Sequence, residues 1–188
     1  MQLILPKQFI EDGSASYPTF FLAGPIKGGG DWQHAACLEL LEEVQDADFQ
    51  VVVPCRWKPE HPLYQHRCDG LDETRFSRQT TWERQCLEIA AKSVFGGCVI
   101  FWLPCESPNS PRTDGHPYAR DSYGELGEWR GRMMHEPDLR VVVGAEKDFP
   151  GLDVIHHNFE RALNREFPIY ETLEETIARA VELSARDE

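Results

Sequence analysis

Thr19-Phe20-Phe21-Leu22-Ala23-Gly24-Pro25-Ile26-Lys27-Gly28-Gly29-Gly30-Asp31-Trp32 is the stretch on which the architecture turns. Its first five residues are apolar, β-branched or aromatic, and they stop at a glycine and a proline. A run of that kind reads as a strand buried on both faces. The glycines that follow let backbone approach a ligand closely. A helix then begins near Asp31, and its N-terminus offers free N–H groups and the positive end of a dipole. The alternative reading is a purely structural turn, since neither the G-x-G-x-x-G nor the G-x-x-x-x-G-K-[ST] phosphate pattern fits.

Outward from this unit, the same alternation repeats. Further buried strands are predicted at Phe49–Val53, Cys98–Leu103 and Arg140–Val143. The helix from Asp31 to Val44 is expected to bury Ala35, Leu38, Leu41 and Val44, which have helical spacing. A second helix is predicted from Thr80. There Thr80-Thr81-Trp82-Glu83 has the form of a capping box, and Leu87, Ala90, Ala91 and Val94 continue one face. A third runs from Ser122 through Met134. A last helix, Leu173 to Ala185, follows a second capping box, Thr172-Leu173-Glu174-Glu175, and Pro168-Ile169-Tyr170 is expected to supply a fifth strand. Strands alternating with helices imply a parallel sheet with right-handed crossovers. The predicted class is α/β, a doubly wound, flavodoxin-like five-stranded parallel sheet with helices on both faces. At 188 residues the chain suits a single domain, 1–188.

Two long irregular stretches follow predicted strand ends. One is Pro54 to Gln79, with Pro59, Pro62 and Gly70; the other is Pro104 to Asp121, with Pro108, Pro111, Gly115 and Pro117. Loops of this length in a compact domain are usually functional or disordered, with plain surface decoration as the other reading, and that edge of an open α/β sheet is where ligands bind. An enclosed pocket with one or two lids is expected there.

The bulk numbers exclude several classes. A formal net charge of −13 repels phosphate backbones, so nucleic acid is not an expected partner. No apolar run reaches the length of a membrane span, and the N-terminal run is too short for a signal peptide, so a cytoplasmic protein is expected. The six cysteines form no C-x-x-C pair, and several sit in apolar runs as small hydrophobes. No spacing of cysteine and histidine suggests a metal site, and no cofactor is expected.

Two glutamates stand out. Glu83 lies at the start of its predicted helix, where it is either the capping-box acid or a pocket carboxylate. Glu125, in Asp121-Ser122-Tyr123-Gly124-Glu125-Leu126-Gly127-Glu128-Trp129, is placed in the first turn of the third helix. There the dipole favours the ionised form, and an ionised carboxylate can attack an electrophilic sugar carbon. The alternative is an ordinary acid at a helix start.

Taken together these segments are more specific than any one. Phe-Leu-Ala-Gly-Pro-Ile (21–26), Asp-Trp-Gln (31–33), Trp-Glu (82–83), Phe-Trp-Leu-Pro (101–104) and Glu-Leu-Gly-Glu-Trp (125–129), in this order, resemble the nucleoside 2-deoxyribosyltransferase family. The resemblance runs from about Phe20 to Val143, and more loosely to the last helix. The Glu-Leu-Gly segment and the Gly24–Gly29 turn are also similar to the related deoxynucleoside 5′-monophosphate N-glycosidases. The resemblance implies a retaining exchange of nucleobases on 2′-deoxyribose, with Glu125 as the covalent nucleophile. It implies that Glu83 serves base recognition or proton delivery, at a position where the family usually has aspartate. Asp121 and Ser122 fall where the family holds the sugar hydroxyls. Gly24, Pro25 and Ile26 would shape the pocket floor, and Trp32 would line it. Family members are homo-oligomers in which a neighbour's asparagine completes the pocket. Asn158 is the nearest candidate, in different surroundings. The implied partners are nucleosides and free nucleobases. The alternative is a hydrolase acting on nucleoside 5′-monophosphates, motivated by Lys27 beside Gly28–Gly30, although no second cation is expected near the turn.

Overall fold

The computed structural model describes residues 1–8, 17–45, 47–55, 57–68 and 75–185. It consists of a five-stranded, wholly parallel sheet: β1 (Gln2–Ile4), β2 (Thr19–Ala23), β3 (Gln50–Val52), β4 (Gly97–Leu103) and β5 (Val141–Ala145), in the order β1-β3-β2-β4-β5. Helices α1 (Trp32–Val44) and α5 (Leu173–Ser184) cover one face. Helices α2 (Gln79–Lys92), α3 (Arg120–Met133) and α4 (Leu152–Leu163) cover the other. This is the doubly wound, flavodoxin-like α/β arrangement.

Every residue of β2, β3, β4 and β5 is buried. Alternate side chains feed two cores. Phe21, Ala23, Val99 and Phe101 face the α2–α3–α4 side, while Phe20, Leu22, Cys98 and Ile100 face α1 and α5. A sheet sandwiched this way needs apolar residues at consecutive positions, which is why the strands read as continuous rather than alternating runs.

The fifth strand is not where the sequence places it. Tyr170 makes only an isolated bridge to Gly144, and Pro168–Tyr170 forms no strand. The additional strand is β1, which pairs with β3 from Gln2↔Gln50 to Ile4↔Val52. Three residues are too few for a periodic signal. Helix α4 was likewise not anticipated, although Leu152, Ile155, Phe159 and Leu163 share one face of it.

Two helix readings need correction. In α1 the buried face is Trp32, Gln33, Ala36, Cys37 and Leu40, while Ala35 and Leu38 are exposed. Trp32 is the largest side chain on the helix, and its burial rotates the stripe away from the expected one. Helix α2 starts one residue early, at Gln79, with Arg78 at its cap, so Thr80 and Glu83 form no capping box. The helix stops at Lys92, and Val94 is exposed outside it. At α5 the expected cap is present: Thr172 Oγ1 accepts from the Glu175 amide at 3.1 Å.

All six cysteines are free, with Cys37, Cys86 and Cys98 buried as apolar filler. Among the described residues, no helix is long and apolar enough to cross a membrane.

Candidate active site

Strand β2 connects outward to β3 on one side and the chain then returns to β4 on the other. The carboxyl ends of β2 and β4 therefore flank the point where the sheet's connections reverse direction, and a crevice opens there. It is a cavity of about 830 Å³. Its walls include Gly24 to Lys27 after β2, Pro54 after β3, Gln79 and Glu83 from α2, and Asp121, Ser122 and Glu125 from α3.

The floor depends on a glycine. Gly24 has φ +148°, and a Cβ there would lie 2.1 Å from the Trp102 carbonyl oxygen on β4. Only glycine lets β2 turn so close to its neighbour. Trp32 Nε1 donates to the Pro25 carbonyl at 2.8 Å. Trp32 is thus buried beneath the turn and props it; it does not line the cavity as expected.

The walls come from α2 and α3, whose Trp82, Cys86, Leu126 and Trp129 share one buried core. Glu83 and Glu125 sit next to these buried residues and face the opening between the helices. On the outer surface, Arg84 donates to Glu128 at 3.1 Å and Arg132 donates to Glu88 at 3.0 Å. Exposed pairs are individually weak, but this row bridges the two helices that carry the carboxylates.

Glu125 is in the second turn of α3, not the first, because the helix begins at Arg120. The dipole acts within the first turn, where Asp121 lies, so it does little for Glu125. Burial pushes the Glu125 carboxyl up to about 7, and the charges of Glu83, Asp121 and Glu128 add to the effect. Glu125 thus lacks the helix-end stabilisation expected for it, and its carboxyl loses its proton at higher pH than an ordinary glutamate. Glu83 accepts from the Gln79 side-chain amide at 2.8 Å, and that amide also donates to the Pro54 carbonyl at 3.0 Å.

The 104–121 loop closes the crevice. The Ser107 amide donates to the Gly28 carbonyl at 2.6 Å, and Tyr118 Oη donates to the Pro104 carbonyl at 2.6 Å. Asp114 bridges Lys27 at 2.9 Å and Arg112 Nε at 2.6 Å, and these cations hold its carboxyl well below the usual range. Arg112 and Arg120 line the cavity along with Lys27. The expectation that no second cation lies near the turn is thus corrected: the 104–121 loop brings Arg112, and the start of α3 brings Arg120, to the same cavity, which the turn's own sequence does not reveal.

Of the residues singled out in the sequence, Gly24, Pro25, Ile26, Lys27, Glu83, Asp121, Ser122 and Glu125 meet at one cavity. Asn158 does not. It is half-buried on α4, beside a separate groove lined by Leu126 and Phe159. Gln79, Arg112 and Arg120 belong to the site and were not anticipated. They sit in a loop or at helix starts, where no periodicity marks a residue as inward-facing.

No family model matches this chain, and no curated protein matches it at a significant level.

Proposed function

We propose that the protein is an N-glycosyl transferase of the nucleoside 2-deoxyribosyltransferase type. In this reading it exchanges nucleobases on 2′-deoxyribose through a covalent glycosyl-Glu125 intermediate. The observation that supports it is the meeting of Glu125 and Glu83, from different helices, at one cavity large enough for a nucleoside.

In the first step the ionised Glu125 carboxylate attacks the anomeric carbon opposite the base. The C1′–N bond breaks, its electron pair leaves with the base, and the base takes up a proton. The second step reverses this with another base, or with water. Such a double displacement passes through oxocarbenium-like transition states, which a 2-deoxy sugar reaches more easily because it lacks the electron-withdrawing 2′-hydroxyl. Glu83, oriented by Gln79, serves base recognition or proton delivery. Asp121 and Ser122 hold the sugar hydroxyls. In this reading the enzyme is a cytoplasmic homo-oligomer acting in nucleoside salvage.

A second reading, hydrolysis of nucleoside 5′-monophosphates, is favoured by the gathering of Lys27, Arg112 and Arg120 around the same cavity. Cations so placed suit a phosphate, although Asp114 already engages two of them.

Intact-protein mass spectrometry after brief mixing with deoxyinosine or thymidine tests both readings. The expected result is a mass gain of one deoxyribosyl group, discharged by adenine and missing from Glu125→Ala. Free base without transfer product indicates hydrolysis, and reaction with only the 5′-monophosphate assigns the cations to phosphate. No turnover of any of these substrates overturns the proposal.

A further inference from the structure

Apart from the cavity, three side chains converge at the start of α1. Asp31 stands at the N-cap position, yet its side chain makes no capping hydrogen bond. Its Oδ2 instead lies 3.5 Å from His34 Nδ1, one turn along the helix. The same oxygen lies 3.7 Å from Nε2 of His61, which caps the 3₁₀ turn Pro62–His66. The three donor atoms all fall within 4.8 Å of one another. His61 is 13% exposed, and its Nε2 is buried without a hydrogen-bond partner among the described residues. Trp57 stacks on the His61 ring at 3.8 Å and fixes its plane. A buried polar atom left unsatisfied in an otherwise ordered cluster calls for a ligand.

We propose that Asp31, His34 and His61 bind one divalent transition-metal ion of the zinc class. Tetrahedral zinc, with bonds of about 2.0–2.1 Å, sets its donors about 3.3 Å apart. The two separations from Asp31 need to close by only a few tenths of an ångström, and the two histidine nitrogens lie within 4.8 Å of each other. Two imidazoles on one such ion place their ring centroids about 5 Å apart. The His34 and His61 centroids are 5.0 Å apart, with their planes at 70°. Two imidazoles and one carboxylate suit zinc and its neighbours, whereas magnesium and calcium require mostly oxygen donors. Asp31 is 58% exposed, so water has access to a fourth position.

Two effects oppose binding. The positive end of the α1 dipole disfavours a cation, but the Asp31 carboxylate stands at that end and the chain's net charge is −13. The Leu63 amide donates to His61 Nδ1 at 3.3 Å, a long contact. Metal on Nε2 requires the ring proton on Nδ1. The ring therefore gives up a proton at one nitrogen and gains one at the other, keeping its charge, and the Leu63 amide loses this acceptor. The bound ion would clamp the loop after β3 to the start of α1. Trp32, the next residue, props the Pro25 turn, so the clamp would steady the cavity floor without entering the cavity.

The test uses the full, tag-free chain stripped with chelator. Zinc is titrated by calorimetry, and cobalt(II) is followed by its visible ligand-field bands. The expected result is one ion per chain, four-coordinate cobalt bands and a melting temperature that rises with zinc. Asp31→Asn, which keeps the side chain's shape, and His34→Ala should each weaken binding at least about tenfold. His61→Ala should do the same, and if it fails to fold the other two variants carry the test. Absence of stoichiometric binding, or binding that survives in Asp31→Asn and His34→Ala, overturns the proposal. Covalent labelling of Glu125 plays no part in these readouts, so they stand apart from the proposed catalysis.

Discussion

Gln79 and Glu83 lie one turn apart on α2, and the Gln79 amide donates to Glu83 Oε1 at 2.8 Å while also holding the Pro54 carbonyl at the end of β3. A side chain from the first turn of a helix thereby ties a cavity carboxylate to the sheet edge. Gln79→Ala removes both contacts and loosens the hold on the Glu83 carboxylate. If Glu83 positions the base or its proton, kcat for transfer should fall about tenfold or more. Gln79→Glu should be worse, since it sets two carboxylates side by side. Steady-state kinetics with one donor and one acceptor checks both, and unaltered kinetics would remove Gln79 from the positioning role.

The proximity of Glu83 and Glu125 predicts a pH effect with a definite sign. The Glu83 charge helps push Glu125 up to about 7, and the proposed nucleophile must be ionised. The acid limb of the kcat/KM profile should therefore fall near neutrality. Glu83→Gln removes one raising charge, so the limb should move to lower pH even as the plateau rate drops by roughly 10²-fold. A limb that stays in place, or moves up, contradicts the coupling.

The same group predicts a stability change. The ordinary carboxyl value of 4.5 is raised in the fold to about 7. Folding is thus unpenalised below about 4.5, and the cost of burying the charge develops as pH rises toward and through 7. Glu125→Gln carries no such charge. Its stability advantage over the wild type should be small at pH 4 and grow to on the order of 2 kcal/mol above pH 8. Urea unfolding at several pH values measures this difference.

Gly24→Ala should be strongly destabilising. The backbone there has φ +148°, and the new methyl would meet the Trp102 carbonyl at 2.1 Å, so strand β2 or β4 must shift. A loss above about 2 kcal/mol is expected, together with loss of activity from the displaced floor. Thermal melting shows whether it occurs, and a silent substitution would contradict the close approach of the two strands.

Asp114→Asn should loosen the 104–121 loop. The carboxylate joins Lys27 below to Arg112 above, and the amide cannot hold both cations as strongly. Hydrogen exchange at the Ser107 amide, which bonds the Gly28 carbonyl, should speed up. If the cations serve a phosphate, the released Lys27 and Arg112 should also improve binding of a 5′-monophosphate relative to the nucleoside.

The chain by itself determined four of the five strands and the helices α1, α2, α3 and α5. Burial on both faces forces a continuous apolar run, and such runs at Thr19–Ala23 and Cys98–Leu103 are plain in one dimension. It also marked Glu83 and Glu125, through their places near predicted helix starts and through a motif order that resembles the deoxyribosyltransferase family. Only the tertiary structure decided the rest. Edge strand β1 and the bridge at Tyr170 are set by which neighbour has free backbone groups, not by local pattern. The raised pKa of Glu125 follows first from burial and then from neighbouring charges, among them Glu83 on another helix. The Lys27–Asp114–Arg112 link and the Asp31–His34–His61 cluster join residues from separate loops and turns. Electrostatics and coordination act through space over a few ångströms, so groups far apart in sequence become partners only when the fold brings them together.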